Sequence, residues 1–214
     1  MTHIGLTREV VQTIRYNFWK KHAAQPSSEG ECKELIAHVN ETQKLDVPPE
    51  ALYPIYLSRH QGQMQTQHME ILAAYFGFDC WKDWVEVNHS VITAVIVDDE
   101  APSRENLEAI LKTFCEKILV VAKATTLDEA RQIIQDMKPD LVLLDIHMGS
   151  ESGLDLLPSL PGSGMEIMFV TAYKDYNAKP LLERPYEYIL KPVDLDMLND
   201  AIERVRARVF ENCA

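Results

Sequence analysis

Cysteine is sparse in this chain, and its four copies, Cys32, Cys80, Cys115 and Cys213, stand far apart with no C-x-x-C pair. That spacing argues against a disulfide framework or a structural zinc site and fits incidental or buried thiols. Long apolar runs are missing too: none approaches the roughly 20 residues that span a bilayer. The opening MTHIGLTREVV lacks the basic-then-apolar order of a secretory leader. A soluble, cytoplasmic protein with no membrane partner is therefore expected. Positive charge is also in deficit, with 21 Lys and Arg against 33 Asp and Glu and a net charge of −12. Both halves share it, at 8 basic to 11 acidic residues over 1–90 and 13 to 22 over 91–214. Such a balance repels nucleic-acid backbones at long range, so any DNA contact needs a local basic patch. There is no internal repeat, no low-complexity tract and no compositional sign of disorder.

What is present divides in two. From residue 91 onward, short β-rich runs at Val91–Val97, Ile118–Ala124, Asp140–Asp145, Met165–Thr171 and Tyr186–Leu190 alternate with amphipathic helical segments. Runs such as Val95-Ile96-Val97 and Leu141-Val142-Leu143-Leu144 are apolar on both faces, as parallel strands covered by helices on each side require. Five strand–helix repeats predict an α/β domain with a doubly wound five-stranded parallel sheet. Pro102 suits the first turn of the helix after the first strand, where a missing N–H costs little. Asp194 is a good N-cap for a last helix carrying Leu198, Ile202, Val205 and Val209 on one stripe, with Arg204, Arg206 and Arg208 toward its end.

Residues 1–90 show helical patterns at about 6–22, 29–43, 49–59, 63–76 and 79–87, broken by Gln25-Pro26-Ser27-Ser28, Pro48-Pro49, Gly62 and Gly77. No strand pattern stands out. A small all-α domain over 1–90 is expected to precede the α/β domain of 91–214, with a junction short enough to favour a fixed or semi-fixed pair.

The polar residues of the second half fall at strand carboxyl ends: Asp98-Asp99-Glu100 after the first strand, Asp145 after the third, Thr171-Ala172 after the fourth and Lys191-Pro192 after the fifth. In an open parallel sheet these ends converge on a crevice where strand order reverses, so three carboxylates, a hydroxyl and an ammonium would share one site. Clustered carboxylates repel one another unless a cation or proton neutralises them, and a hard oxygen environment suits Mg²⁺. Phosphoryl transfer depends mostly on positioning and charge neutralisation, which Mg²⁺, Lys191 and Thr171 could supply for attack by a carboxylate.

The motifs VIVDDE, DLVLLDIHM, FVTAY and YILKPVD together resemble the receiver domain of two-component response regulators over about 92–210. The resemblance implies a flavodoxin-like strand order of 2-1-3-4-5. It implies Asp145 as phosphoacceptor, and Asp99, Asp98, Asp145 and the backbone carbonyl of His147 as the Mg²⁺ ligands, Asp98 acting largely through water. It implies Thr171, Ala172 and Lys191 on the phosphoryl oxygens, a cis peptide at Lys191-Pro192, and Thr171 and Tyr188 as the switch pair. A sensor histidine kinase or phosphotransfer protein would be the donor, so the chain would accept a phosphoryl group and be able to shed it by self-dephosphorylation without being an enzyme in its own right. Output would leave through the fourth helix, fifth strand and fifth helix, by homodimerisation among other routes. The stretch VTAYKDYNAKPLLERPYEYILKPVD is most similar to receivers of LytTR-type regulators, although no LytTR output domain follows.

Two departures stand out. Met148-Gly149 replaces the family's Met-Pro, which is expected to loosen that loop, and Pro180 falls inside the expected fourth helix. Taken alone, Asp98 and Asp99 read as helix N-caps. A silent receiver used as a scaffold is a second alternative. A haloacid-dehalogenase-like hydrolase is a third, although the acid those enzymes carry two residues after the nucleophile is His147 here. In the first half, Ala73–Phe78 and Trp81–Trp84 resemble the tail of helix-turn-helix domains, but the would-be recognition helix Pro49–Ser58 has no Lys or Arg before Arg59. An interaction or dimerisation module is favoured there over DNA binding. His60 and His68 read as surface or satisfied residues, and Trp81, Trp84, Phe76 and Phe78 as core.

Overall fold

The computed structural model describes residues 3–5, 7–23, 25–43, 47–57, 63–88, 90–160, 164–172 and 186–211. The chain divides into two compact units, Met1–Val91 and Ile92–Ala214.

The first unit contains β1 (His3–Gly5), α1 (Arg8–His22), α2 (Glu29–Gln43), a 3-10 turn (Pro49–Ala51), α3 (Tyr53–Tyr56), β2 (Gln63–Gln65), α4 (Thr66–Tyr75) and α5 (Trp81–Val87). Thr7 caps α1, its hydroxyl accepting from the Val10 N–H. The stripe Val10, Ile14 and Phe18 of α1 packs with Ile36 and Val39 of α2, Leu72 of α4 and Trp84 of α5 in one core. Trp84 is fully buried and stacks on Phe76 at 5.2 Å and Phe78 at 6.4 Å, so these aromatics form core rather than a platform for bases. Helix α5 has no capping side chain of its own at Cys80, and the Glu70 carboxylate reaches across from α4 to accept the Trp81 N–H at 2.9 Å. Gly77, at φ +87°, ends α4 by turning the chain where a side chain would be strained.

Two features differ from the sequence reading. A short antiparallel ribbon joins β1 to β2, three residues on each side, too short to show alternation in sequence. The helical pattern over 49–59 is broken into a 3-10 turn and a four-residue helix, because Pro48, Pro49 and Pro54 withhold three N–H groups from it. Arg59, His60 and Gly62 lie outside the described residues.

The second unit runs β3 (Ile92–Val97), α6 (Ala101–Phe114), β4 (Ile118–Ala124), α7 (Leu127–Met137), β5 (Leu141–Leu144), β6 (His147–Met148), β7 (Glu151–Ser152), a 3-10 helix (Gly153–Ser159), β8 (Glu166–Thr171), β9 (Glu187–Leu190) and α8 (Leu195–Glu211). The main sheet has the order β4-β3-β5-β8-β9, and every neighbouring pair is parallel. Alternate residues Val95, Val97, Val142, Leu144, Ile167 and Phe169 pack on Leu127, Ala130 and Ile134 of α7. On the opposite face Val170 lines a cleft together with Leu107 and Ile110 of α6, and α6 packs on α8. Helices on both faces therefore account for strands that are apolar throughout. Each buried Leu or Ile contributes about 1.5–3 kcal/mol, far more than the surface ion pairs.

Asp194 caps α8 through Met197, and Leu198, Ile202 and Val205 are buried while Val209 is half-buried. Arg204 pairs with Glu187 of β9 at 2.8 Å, and Arg208 pairs with Glu187 at 3.0 Å and Glu166 of β8 at 2.6 Å. Residues 173–185, including Pro180 and the expected fourth helix of this unit, fall outside the description. Among the described residues no helix is long and apolar enough to cross a membrane. Cys32 and Cys115 are buried cysteines outside any disulfide and Cys80 is a half-buried one; Cys213 lies outside the description.

Candidate functional site

The sheet delivers its polar residues to one end. Asp98 follows β3 at 3% exposure, Asp145 follows β5 at 7%, Thr171 closes β8 fully buried, and Lys191 follows β9. The reversal of strand order lies between β3 and β5, the place where an open parallel sheet leaves a crevice. The Lys191 ammonium donates to Asp145 Oδ2 at 2.5 Å and to Asp98 Oδ2 at 2.7 Å, bridging two carboxylates that would otherwise repel each other. Burial by itself pushes the Lys191 pKa down, but hydrogen bonds to Asp145 and Asp98 and their charges outweigh it and hold the ammonium above its ordinary value. The Lys191-Pro192 peptide is cis, and the Lys191 N–H donates to the Thr171 carbonyl at 2.8 Å, tying the ends of β8 and β9 together.

Beyond Asp145 the chain makes a small hairpin. His147 is exposed, and its backbone N–H donates to Asp145 Oδ1 at 3.0 Å. Met148 pairs with Glu151 and His147 with Ser152 in the β6–β7 ribbon, turned by Gly149 at φ +61°. The expected loosening at Met148-Gly149 is not seen, because glycine permits a left-handed turn that closes the loop into a ribbon. Gly149 also lies over Asp99, where an added Cβ would stand 3.6 Å from Oδ2. Gly153 is tighter still: its N–H donates to the Ile146 carbonyl, and a Cβ there would meet the Asp145 carbonyl oxygen at 2.0 Å.

Ala172 and Asp99 are exposed, so backbone and carboxylate at these positions face solvent. Tyr188 is half-buried on β9, opposite Phe169 in register, with ring centroids 6.5 Å apart. Sequence reasoning missed Ser103 and Arg104 in the first turn of α6. The Ser103 hydroxyl donates to Asp98 Oδ2 at 2.6 Å, and Arg104 Nη1 donates to the Asp98 carbonyl at 2.6 Å. Pro102, which marks that first turn, was the signal that could have found them.

Three carboxylates and one ammonium leave about two negative charges at this end of the sheet, the deficit a divalent cation would fill. Among the described residues no group of three or more acidic, histidine or cysteine side chains is placed to hold a metal ion. Mg²⁺ needs none, since it binds through one or two carboxylates and keeps several waters. The oxygen-only donor set and the room left at Gly149 beside Asp99 fit such an ion.

The profile of the family described as "Response regulator receiver domain" matches residues 94–203, just over half of the chain. The chain belongs to this family. The receiver is similar to an uncharacterized response regulatory protein of Shewanella oneidensis, 38% identical over 117 residues, which are 54% of this chain and 49% of that protein. It is also similar to the sensory transduction protein LytT of Enterococcus faecalis, 37% identical over 112 residues, 51% of this chain and 46% of LytT. The chain thus spans about half the length of the curated relatives it matches. A two-component transcriptional regulator of Clostridium phytofermentans shares the receiver fold, with a TM-score of 0.50 at 24% identity, over 57% of this chain and 98% of that one. The five-stranded sheet is therefore a flavodoxin-like receiver in the C-terminal part of the chain, preceded by a helical region.

Proposed function

We propose that the receiver takes a phosphoryl group onto Asp145 in a Mg²⁺-dependent, cytoplasmic phosphorelay. The observation that carries this reading is the Lys191 ammonium bridging Asp98 and Asp145, two buried carboxylates brought together from strands β3 and β5. Asp98, Asp99, Asp145 and the His147 carbonyl would hold the Mg²⁺. When bound, the ion supplies positive charge that offsets the repulsion between the carboxylates and the phosphoryl oxygens.

The donor is a phosphohistidine of a sensor kinase or phosphotransfer protein. An Asp145 carboxylate oxygen attacks phosphorus, the P–N bond breaks, and its electron pair returns to the imidazole. Lys191 exchanges a carboxylate for a phosphoryl oxygen, and the Thr171 hydroxyl and Ala172 N–H donate to the others. The chain is then the recipient of a phosphoryl group, shed by slow self-hydrolysis, rather than an enzyme. The phosphoryl group adds about −1.5 to −2 charges, enough to bias a two-state surface separated by a few kcal/mol. Thr171 moves toward the phosphate and Tyr188 turns inward behind it, so the state is read on the face of β9 and α8. On that face Arg204 and Arg208 are already paired with Glu187, so a homodimer there would re-pair them. The first unit, residues 1–90, acts as an interaction or dimerisation module. Its segment Pro49–Tyr56 holds a 3-10 turn and a four-residue helix, too short for a recognition helix, which supports this reading over DNA recognition.

The test is labelling with a small-molecule phosphodonor and Mg²⁺, read by intact mass, with Asp145→Asn as control. Label on the wild type that requires Mg²⁺ and is lost in Asp145→Asn is expected; an unlabelled wild type, or equal label on the variant, refutes the reading. Trp19, Trp81 and Trp84 all lie in the first unit, so a fluorescence change on labelling reports that the signal reaches it.

A further inference from the structure

Asp98 is enclosed by donors on several sides. Its Oδ1 accepts the Glu100 N–H at 2.8 Å, its Oδ2 accepts both the Ser103 hydroxyl at 2.6 Å and the Lys191 ammonium at 2.7 Å, and its backbone carbonyl accepts Arg104 Nη1 at 2.6 Å. Three of these four partners come from residues 100–104, the segment that opens α6. At 3% exposure the carboxylate has almost no bulk water to hold it in their place. The carboxylate torsion of aspartate is broad and two-fold, so such donors decide which way its oxygens face.

Lys191 and Ser103 share one oxygen but differ in what else they touch. Lys191 also holds Asp145, and during phosphorylation it exchanges a carboxylate for a phosphoryl oxygen. Ser103 sits in the first turn of α6, and its hydroxyl donates to Asp98. We propose that Ser103 is a positioning residue for the cation site: its hydroxyl fixes the orientation of the Asp98 carboxylate, while Arg104 anchors the main chain of the same residue. This inference rests on the proposed Mg²⁺-dependent reading of the site and adds to it a residue that touches neither the acceptor nor the phosphoryl group. The general chemistry is that of outer hydrogen bonds that orient metal-binding carboxylates, whose loss typically lowers metal affinity by about 10–100-fold.

A purely structural Ser103, serving only the first turn of α6, would affect the melting temperature and leave cation affinity unchanged. Mg²⁺ is therefore titrated into the full-length ¹⁵N-labelled protein while amide shifts at residues 98–104 are followed, with thermal melting recorded separately in chelator. Wild type is expected to titrate saturably, Ser103→Ala to need about tenfold more Mg²⁺ with little change in melting, and Ser103→Thr, which restores a hydroxyl, to return toward wild type. Asp98→Asn should lose the response. A Ser103→Ala midpoint equal to wild type overturns the role of Ser103 while leaving the cation reading intact, as does a weakened midpoint that Ser103→Thr fails to restore. A wild type that does not respond to Mg²⁺ overturns the cation reading and the positioning role together.

Discussion

Replacing Gly153 by alanine adds a single methyl group at a place where the backbone has already used the space. The new Cβ would lie 2.0 Å from the Asp145 carbonyl oxygen, 3.0 Å from its carbonyl carbon and 3.1 Å from Leu144 Cδ1. The two closest atoms are backbone, so relief requires moving backbone by about 1 Å, either the 3-10 helix that starts at Gly153 or the peptide of Asp145 itself. Overpacking of this kind costs about 1–3 kcal/mol, and with main chain on both sides the upper end applies. For a domain of this size that corresponds to a melting temperature lowered by roughly 5–10 °C. The greater effect is on geometry: the Asp145 carboxylate is fixed by Lys191 at 2.5 Å and the His147 N–H at 3.0 Å, and a shift of about 1 Å in a reacting group is worth roughly 100-fold in rate. The assay is thermal melting together with the rate of phosphodonor labelling. Gly30→Ala serves as the control, because its Cβ would meet only Ser28 Oγ at 3.8 Å. A Gly153→Ala protein that melts and labels like wild type would refute the steric argument.

Two further outcomes follow from the charges. Lys191→Met leaves Asp98 and Asp145 facing each other without their shared cation and should cost about 2–3 kcal/mol at neutral pH, less than a fully buried pair because the ammonium keeps some water. Since the folded protein holds Lys191 above its ordinary value of 10.5, the wild-type advantage should be complete below that pH and shrink above it. Urea melts at pH 7, 9 and 11 measure the gap, and a gap that closed between pH 5 and 8 would contradict the assignment. Glu129 accepts the Thr125 N–H at 2.7 Å and its hydroxyl at 2.9 Å, and these bonds hold its carboxyl below the ordinary value of 4.5. Its small stabilising contribution is present above that pH and lost as pH falls through the lowered value, so Glu129→Gln and wild type should differ in melting at pH 6 and draw together as pH falls below 4.5; a difference that did not shrink with falling pH would count against it.

The five strands could be read from the sequence because β3 and β5 are buried throughout and the others carry short β-rich apolar runs, and their limits fell within a residue, as at Ile118–Ala124. Asp98, Asp145 and Lys191 could be brought together in advance because a parallel sheet places its carboxyl ends side by side, whatever lies between them. Other features depend on through-space contacts that leave no pattern. Gly153 looks like any loop glycine until the Asp145 carbonyl is set beside it, and Ser103 like any helix-start serine until its hydroxyl is seen on Asp98. The β1–β2 ribbon is too short for alternation, and the break at Tyr53–Tyr56 is a case of three prolines overriding a helical hydrophobic pattern.

The cation that reconciles Asp98 with Asp145 lies 93 residues beyond the first of them. During synthesis at about 5–20 residues per second, Asp98 therefore emerges some 5–20 s before the lysine and Asp145 some 2–9 s before it. A ribosome-bound chain in the later interval has both carboxylates but not the ammonium that bridges them, and β9, which would carry that ammonium into place, has not yet been added to the edge of the sheet. The pairing of the two carboxylates thus arrives with the last strand added to the sheet.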